Sequence, residues 1–250
     1  MSIHDLRTTC GVRFGLLGPL PARPSPLFLV LASSIEETLG NSYFLQGGNR
    51  LAQQGYLCAS LDLPCHGQDC RADEPEGLRG WSYRLDHEEN LFAEFTKRAT
   101  SVLDHLVAAE CIDPHRIAVC GTSRGGFAAL HLMAADPRPK CAALMCPATE
   151  LTAIEEFQSM QHSDRAAALS LKHLADKLAG RAVWIVIGDQ DDRVGTDHVI
   201  AFARELSATA RAKGVSSKVE LHVLPEPRGH TTPAGAATHC AEWIARELGT

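Results

Sequence analysis

The 250-residue chain reads as an α/β protein with a mostly parallel twisted central sheet and helices on both faces. Short apolar runs rich in Val, Ile and Leu recur along its length, each about as long as one strand. Between them lie longer segments with apolar residues three or four apart, the spacing of an amphipathic helix. Runs that are apolar throughout, rather than alternating, belong to strands covered on both faces, as in stacked βαβ units.

In chain order, Pro19, Pro21, Pro24 and Pro26 exclude a helix from the first 26 residues and permit an early hairpin or edge strand. Strands are expected at 27–32 and 56–62 with a helix at 42–54 between them, then a helix at 86–109. A strand at 116–122, a helix at 124–135 and a strand at 140–146 follow, and then strands at 182–188 and 218–224 trailed by helices at 196–213 and 234–248. Residues 147–180 have helical character and no strand, as a small cap over a site would. The length fits one domain spanning 1–250.

Composition removes several classes of function. A net charge of −6 and the lack of any basic run argue against a nucleic-acid partner. The longest apolar stretches fall far short of the roughly 20 residues that cross a bilayer as a helix, so no membrane span is expected. The start, Met-Ser-Ile-His-Asp, is not a secretory leader, and a cytoplasmic location is expected. Nine cysteines make an odd number, and those inside apolar runs, such as Cys120, read as buried free thiols of a reducing compartment.

The strongest local signal is Gly121-Thr122-Ser123-Arg124-Gly125, followed by Gly126, between an expected strand and an expected helix. A serine on a sharp strand-to-helix turn takes a strained backbone, and glycines two residues to either side let the turn pack without clashing Cβ atoms. Its hydroxyl then stands clear of the sheet. The N–H of Arg124, at the free start of the helix, points where an oxyanion would form.

A nucleophilic serine needs a base, usually an imidazole, and twelve histidines compete for the role. His230 follows the last strand on a loop before the final helix, at the strand ends where parallel sheets place ligands. His66 also follows a strand and reads better as a loop-holding residue. Gly188-Asp189-Gln190-Asp191-Asp192-Arg193-Val194 offers three carboxylates at the same end of the sheet. Any of Asp189, Asp191 and Asp192 satisfies the spacing, and the order Ser, Asp, His is that of one known triad arrangement.

These residues resemble the α/β-hydrolase superfamily, and within it the single-domain relatives of dienelactone hydrolases and the catalytic domains of prolyl-oligopeptidase-like enzymes. The likeness spans about residues 27–248. It rests on the stretch from Asp113 through Gly126, on the Gly188-x-x-Asp191-Asp192-Arg193-Val194 run, and on Asp62-Leu63-Pro64-x-His66-Gly67. The resemblance implies an α/β-hydrolase fold and a Ser-His-Asp triad of Ser123, His230 and Asp191, Asp191 being the first Asp of its Asp-Asp-Arg-Val run. Where many relatives carry His-Gly after the third strand, this chain has Ala32-Ser33-Ser34-Ile35, and alignment gives the second oxyanion donor to the N–H of Ser34. The chain is too short for the β-propeller that gates larger prolyl oligopeptidases, so peptide selection by that device is not expected.

The implied activity is hydrolysis of a carboxylic ester or related acyl bond in a small molecule, without a cofactor. Peptides, thioesters and lactones suit the same triad. Phe157, Met160 and Trp81 are candidates to line an acyl pocket, with core packing as their alternative. A nucleotide-binding oxidoreductase would show G-x-G-x-x-G, which is lacking. A metal hydrolase would cluster ligands, whereas His87-Glu88-Glu89 has no second histidine four residues on and Cys65 with Cys70 has no partner pair. The remaining rival is a non-catalytic binding protein on the same fold, motivated by the altered oxyanion loop.

Overall fold

Residues 2–250 are described by a computed structural model. Eight strands form one sheet: β1 (Ile3–Arg7), β2 (Arg13–Leu17), β3 (Ser25–Leu31), β4 (Leu57–Ser60), β5 (Ile112–Thr122), β6 (Pro139–Met145), β7 (Ala182–Gly188) and β8 (Lys218–Leu224). Their spatial order is β1-β2-β4-β3-β5-β6-β7-β8. β1 and β2 are the antiparallel hairpin that the proline-rich start permits, and β2 joins β4 antiparallel. Every other pairing is parallel.

The six strands expected from the apolar runs are all present, and β5 starts earlier than expected, at Ile112, across an irregularity in its register with β3. Strand residues alternate between two cores. Leu27, Leu29 and Leu31 of β3 face one layer with Ile117, Val119, Val183, Ile185 and Ile187. Phe28 and Val30 face the other with Ala118, Cys120, Trp184 and Val186. The first layer is covered by helices Gly77–Asp86, Leu91–Ala108, Arg124–Ala135 and Thr196–Ala212, the second by the helical turns between 35 and 53 and by helix Ala236–Leu248. Burial on both faces is why the central strands carry unbroken apolar runs such as Leu27–Leu31 and Ala182–Ile187.

One expected helix is divided and another starts late. In place of one helix over 42–54 there are Ser42–Leu45 and Gly48–Gln53, preceded by a further short helix at Ile35–Gly40. The break falls at Gln46, whose φ is 52°. A Cβ on Gly47 would come within 2.8 Å of the Ala237 carbonyl, so the final helix packs directly on this bend. The helix expected from 86 begins at Leu91, after a turn with Glu88 at φ 67°, and is capped by the Asn90 side chain accepting from the Ala93 N–H. Its buried residues Phe92, Phe95, Ala99, Val102 and Leu106 keep the three-to-four spacing.

Residues 147–180 are a series of short helical turns whose apolar side chains, including Leu151, Phe157 and Leu171, join the first core layer. Trp81 lies on helix Gly77–Asp86, with its Nε1 donating to the Pro64 carbonyl at 2.6 Å. Trp81 and Phe157 are fully buried and Met160 nearly so, which makes them core residues rather than the wall of an open acyl pocket. No helix among the described residues is long and apolar enough to cross a membrane. The nine cysteines are free thiols, most of them buried.

Candidate active site

β4 lies on one side of β3 and β5 on the other, so the direction of the chain reverses between β3 and β5, the place where open parallel sheets form a crevice at their carboxyl ends. Ser123 directly follows β5 there. Its φ of 54° and ψ of −118° lie in a region costly for a side-chain-bearing residue. The strain is held by hydrogen bonds on both sides. The Ser123 N–H donates to the Met145 carbonyl at 2.9 Å, and its own carbonyl accepts from the N–H groups of Gly126 and Ala148 at 3.0 and 3.1 Å. The glycines around it are needed for space: a Cβ on Gly125 would lie 1.9 Å from the Leu31 carbonyl oxygen, and one on Gly121 2.2 Å from the Gly125 backbone.

Asp191, on the loop after β7, and His230, on the loop after β8, meet Ser123 in one hydrogen-bonded chain. The His230 Nδ1–H donates to Asp191 Oδ2 at 2.8 Å, which leaves Nε2 to accept from Ser123 Oγ at 2.9 Å. The Asp191 side chain is fully buried, and its Oδ1 accepts from the N–H groups of Arg193 and Val194 at 3.1 and 3.2 Å. The three neighbouring carboxylates have different surroundings. Asp189 Oδ1 accepts from the Glu226 N–H at 2.9 Å, tying the two loops together, and Asp192 is exposed.

His66 stands apart from this chain. Its Nδ1–H donates to the Pro64 carbonyl at 2.8 Å and its ring packs edge-on to Trp81. Burial, reinforced by the nearby charge of Arg124, pulls its pKa down to about 4, so it is neutral near pH 7. It holds the loop after β4.

The loop after β3 presents Ser34 to the same crevice. The Ser33 N–H donates to Thr38 Oγ1 at 3.1 Å and the Ile35 N–H to Asp62 Oδ1 at 2.8 Å. Between them the Ser34 N–H has no acceptor among the described residues, and neither does that of Arg124 across the crevice. The Ser34 hydroxyl caps the short helix by accepting from the Glu37 N–H.

Sequence reasoning passed over the residues that hold these loops. Buried Asp62 links them: Oδ1 takes the Ile35 N–H, while Oδ2 takes the Gln68 N–H at 3.1 Å and the Arg13 guanidinium at 3.0 Å. Gln46 is the second, its amide donating to Thr122 Oγ1 at 3.1 Å and to Thr232 Oγ1 at 3.3 Å, one next to Ser123 and the other on the His230 loop. The Asp62-Leu63-Pro64-x-His66-Gly67 run is a visible signal for the first, whereas nothing local in the sequence marks the second.

Two arginines approach from the other side. Arg193 Nη2 donates to both carboxylate oxygens of Glu156 at 2.6 and 2.7 Å, joining the Asp191 loop to segment 147–180. Arg124 has its Nε buried without a hydrogen-bond partner, and burial lowers the pKa of its guanidinium. A surface cavity of about 670 Å³ lies at the opposite end of the parallel strands, bordered by Pro24, Ser25, Gly55 and Arg116.

The sheet, its crevice and the strained serine turn define an α/β-hydrolase. The prolyl oligopeptidase family model matches residues 76–249, and the chain belongs to that family of hydrolases. The chain is similar in structure to a putative dipeptidyl aminopeptidase IV from Bacteroides ovatus ATCC 8483, with 19% identity and a TM-score of 0.72 over 99% of this chain and 35% of that one. It therefore spans about a third of that protein. A cold-adapted esterase from an Arctic intertidal metagenomic library aligns at 19% identity and a TM-score of 0.68 over 98% of this chain and 92% of that one. TT1662 from Thermus thermophilus aligns at 18% identity and a TM-score of 0.73 over the whole of both chains. No curated protein matches the chain.

Proposed function

We propose that the chain is a serine hydrolase that cleaves a carboxylic ester or related acyl bond through Ser123, His230 and Asp191. The observation that carries the reading is the Ser123–His230–Asp191 hydrogen-bond chain at 2.9 and 2.8 Å. Ser123 Oγ attacks the acyl carbon while His230 Nε2 removes its proton, and buried Asp191 stabilises the imidazolium and fixes the tautomer. Negative charge moves to the former carbonyl oxygen, where the free N–H groups of Arg124 and Ser34 receive it. The intermediate collapses as His230 passes its proton to the leaving oxygen, giving an acyl-serine. Water deprotonated by His230 then attacks that ester, the acid departs, and the proton returns to Ser123.

The chain acts as one α/β-hydrolase domain, with 147–180 as a small cap reaching the site through Glu156. Its substrate is a small acyl compound, and the esterase aligned over nearly its full length supports an ester over a peptide. Amide, thioester and lactone substrates are the alternatives on the same triad. The free thiols support a cytoplasmic location. The test is hydrolysis of a short and a long p-nitrophenyl ester by wild type and Ser123→Ala. Turnover confined to the wild type supports the reading, and equal turnover in both overturns it.

A further inference from the structure

Arg124 has two separable parts at the site. Its main-chain N–H belongs to the proposed oxyanion pair, while its side chain has no part in that chemistry. Buried and half-buried arginines elsewhere in the molecule have partners. Arg13 is held by Asp5, Glu36 and Asp62, Arg84 by Asp69 and Glu74, and Arg181 by the carbonyls of Met133 and Pro139. Arg124 differs: its Nε is buried without a partner, and its guanidinium makes no ion pair among the described residues. It lies in the fields of Glu37, Arg193 and Glu156, between the oxyanion loop and the cap segment. Glu37 takes the Ser33 hydroxyl and Glu156 is committed to Arg193, so neither answers it.

Arg124 is half-buried and its buried Nε is left without an acceptor, which is costly, while the guanidinium fork matches a carboxylate in geometry and charge. We propose that the Arg124 side chain binds a carboxylate of the substrate, so that the preferred acyl compounds carry a negative charge a few bonds from the scissile carbonyl. The proposal rests on the serine-hydrolase reading for the bond that is cleaved. Its charged neighbours, Glu37 beside the oxyanion loop and Arg193 on the Asp191 loop, place the guanidinium at the edge of the crevice that holds Ser123. The carboxylates of Glu37 and Glu156 favour a monoanion over a dianion such as phosphate.

The test compares kcat/KM for mono-p-nitrophenyl glutarate with that for its neutral methyl ester. Wild type is expected to favour the anionic ester by about tenfold or more, Arg124→Met by about one, and Arg124→Lys by an intermediate factor. The ratio is the readout, since the main chain of Arg124 belongs to the oxyanion site and absolute rates change with it. A ratio near one in wild type, or one that survives in Arg124→Met, overturns the proposal. Arg124→Gln serves if the methionine variant does not fold. Calorimetric binding of monomethyl glutarate to Ser123→Ala, with and without Arg124→Met, separates the two claims. Binding that needs Arg124, in a protein that hydrolyses neither ester, keeps the anion site and overturns the hydrolase reading. No binding, with the neutral ester still hydrolysed by wild type, does the reverse.

Discussion

Asp191→Asn isolates the contribution of one buried carboxylate. In the native protein Oδ1 accepts two main-chain N–H groups and Oδ2 accepts the His230 Nδ1–H. An amide in the same place keeps its oxygen on the two main-chain donors and turns its NH₂ towards His230. Nδ1 must then accept, the ring proton moves to Nε2, and Nε2 donates to Ser123 Oγ where it should take a proton. The imidazolium formed during attack also loses its counter-charge. The expected fall in kcat is about 10³ to 10⁴, or ~4 to 5.5 kcal/mol in the barrier. KM should change little, since Asp191 is buried beneath His230 and away from the crevice. Stability should hold within about 1 kcal/mol because both main-chain donors keep their acceptor. The assay is kcat on a p-nitrophenyl ester, with Asp192→Asn as the exposed control. A loss below about tenfold, or an equal loss in the control, would refute the reasoning.

Ser34 should behave differently according to which of its groups is removed. Ser34→Ala deletes only the helix cap, costing about 1 kcal/mol of stability while turnover persists. Ser34→Pro, tolerated by the native φ of −75°, removes the N–H and should lower kcat by about 10² to 10³; equal rates in the two variants would exclude Ser34 as an oxyanion donor. Gly125→Ala forces a methyl group against the Leu31 carbonyl and should lower Tm by about 10 °C, read by calorimetry. His131 stacks on Phe92 with its Nε2 buried and unpartnered, and burial pulls its pKa down to about 4. The unfolded chain takes up a proton below about pH 6.5 that the native state refuses until about pH 4, so stability falls as pH drops through that window, by about 3 kcal/mol from this group. Urea unfolding of His131→Leu should show a shallower acid slope than wild type between those limits, and parallel slopes would remove His131 as a cause.

The parallel sheet was legible because strands buried on both faces carry an unbroken apolar signature, as in Ala182–Gly188. The serine turn was legible for a related reason: close approach of Leu31 to Gly125 and of Gly125 to Gly121 leaves room for no side chain, which writes glycine into fixed positions. Other features depend on contacts between distant segments. Helix 42–54 has the right spacing, yet it breaks at Gln46 because that side chain bridges Thr122 and Thr232 and the final helix presses on Gly47. Asp189, Asp191 and Asp192 are equivalent as letters, and only the approach of the last loop gives one to Glu226, one to His230 and one to solvent. Asp62 is of the same kind, since its three partners come from three separate segments.

The most direct measurement is the site and rate of fluorophosphonate labelling, mapped by peptide mass spectrometry. The adduct is expected on Ser123, unaffected by chelators, and slowed by about a hundredfold or more in His230→Ala. An adduct on any other residue, or one that forms on Ser123 at the same rate without His230, would contradict a nucleophile activated by this histidine.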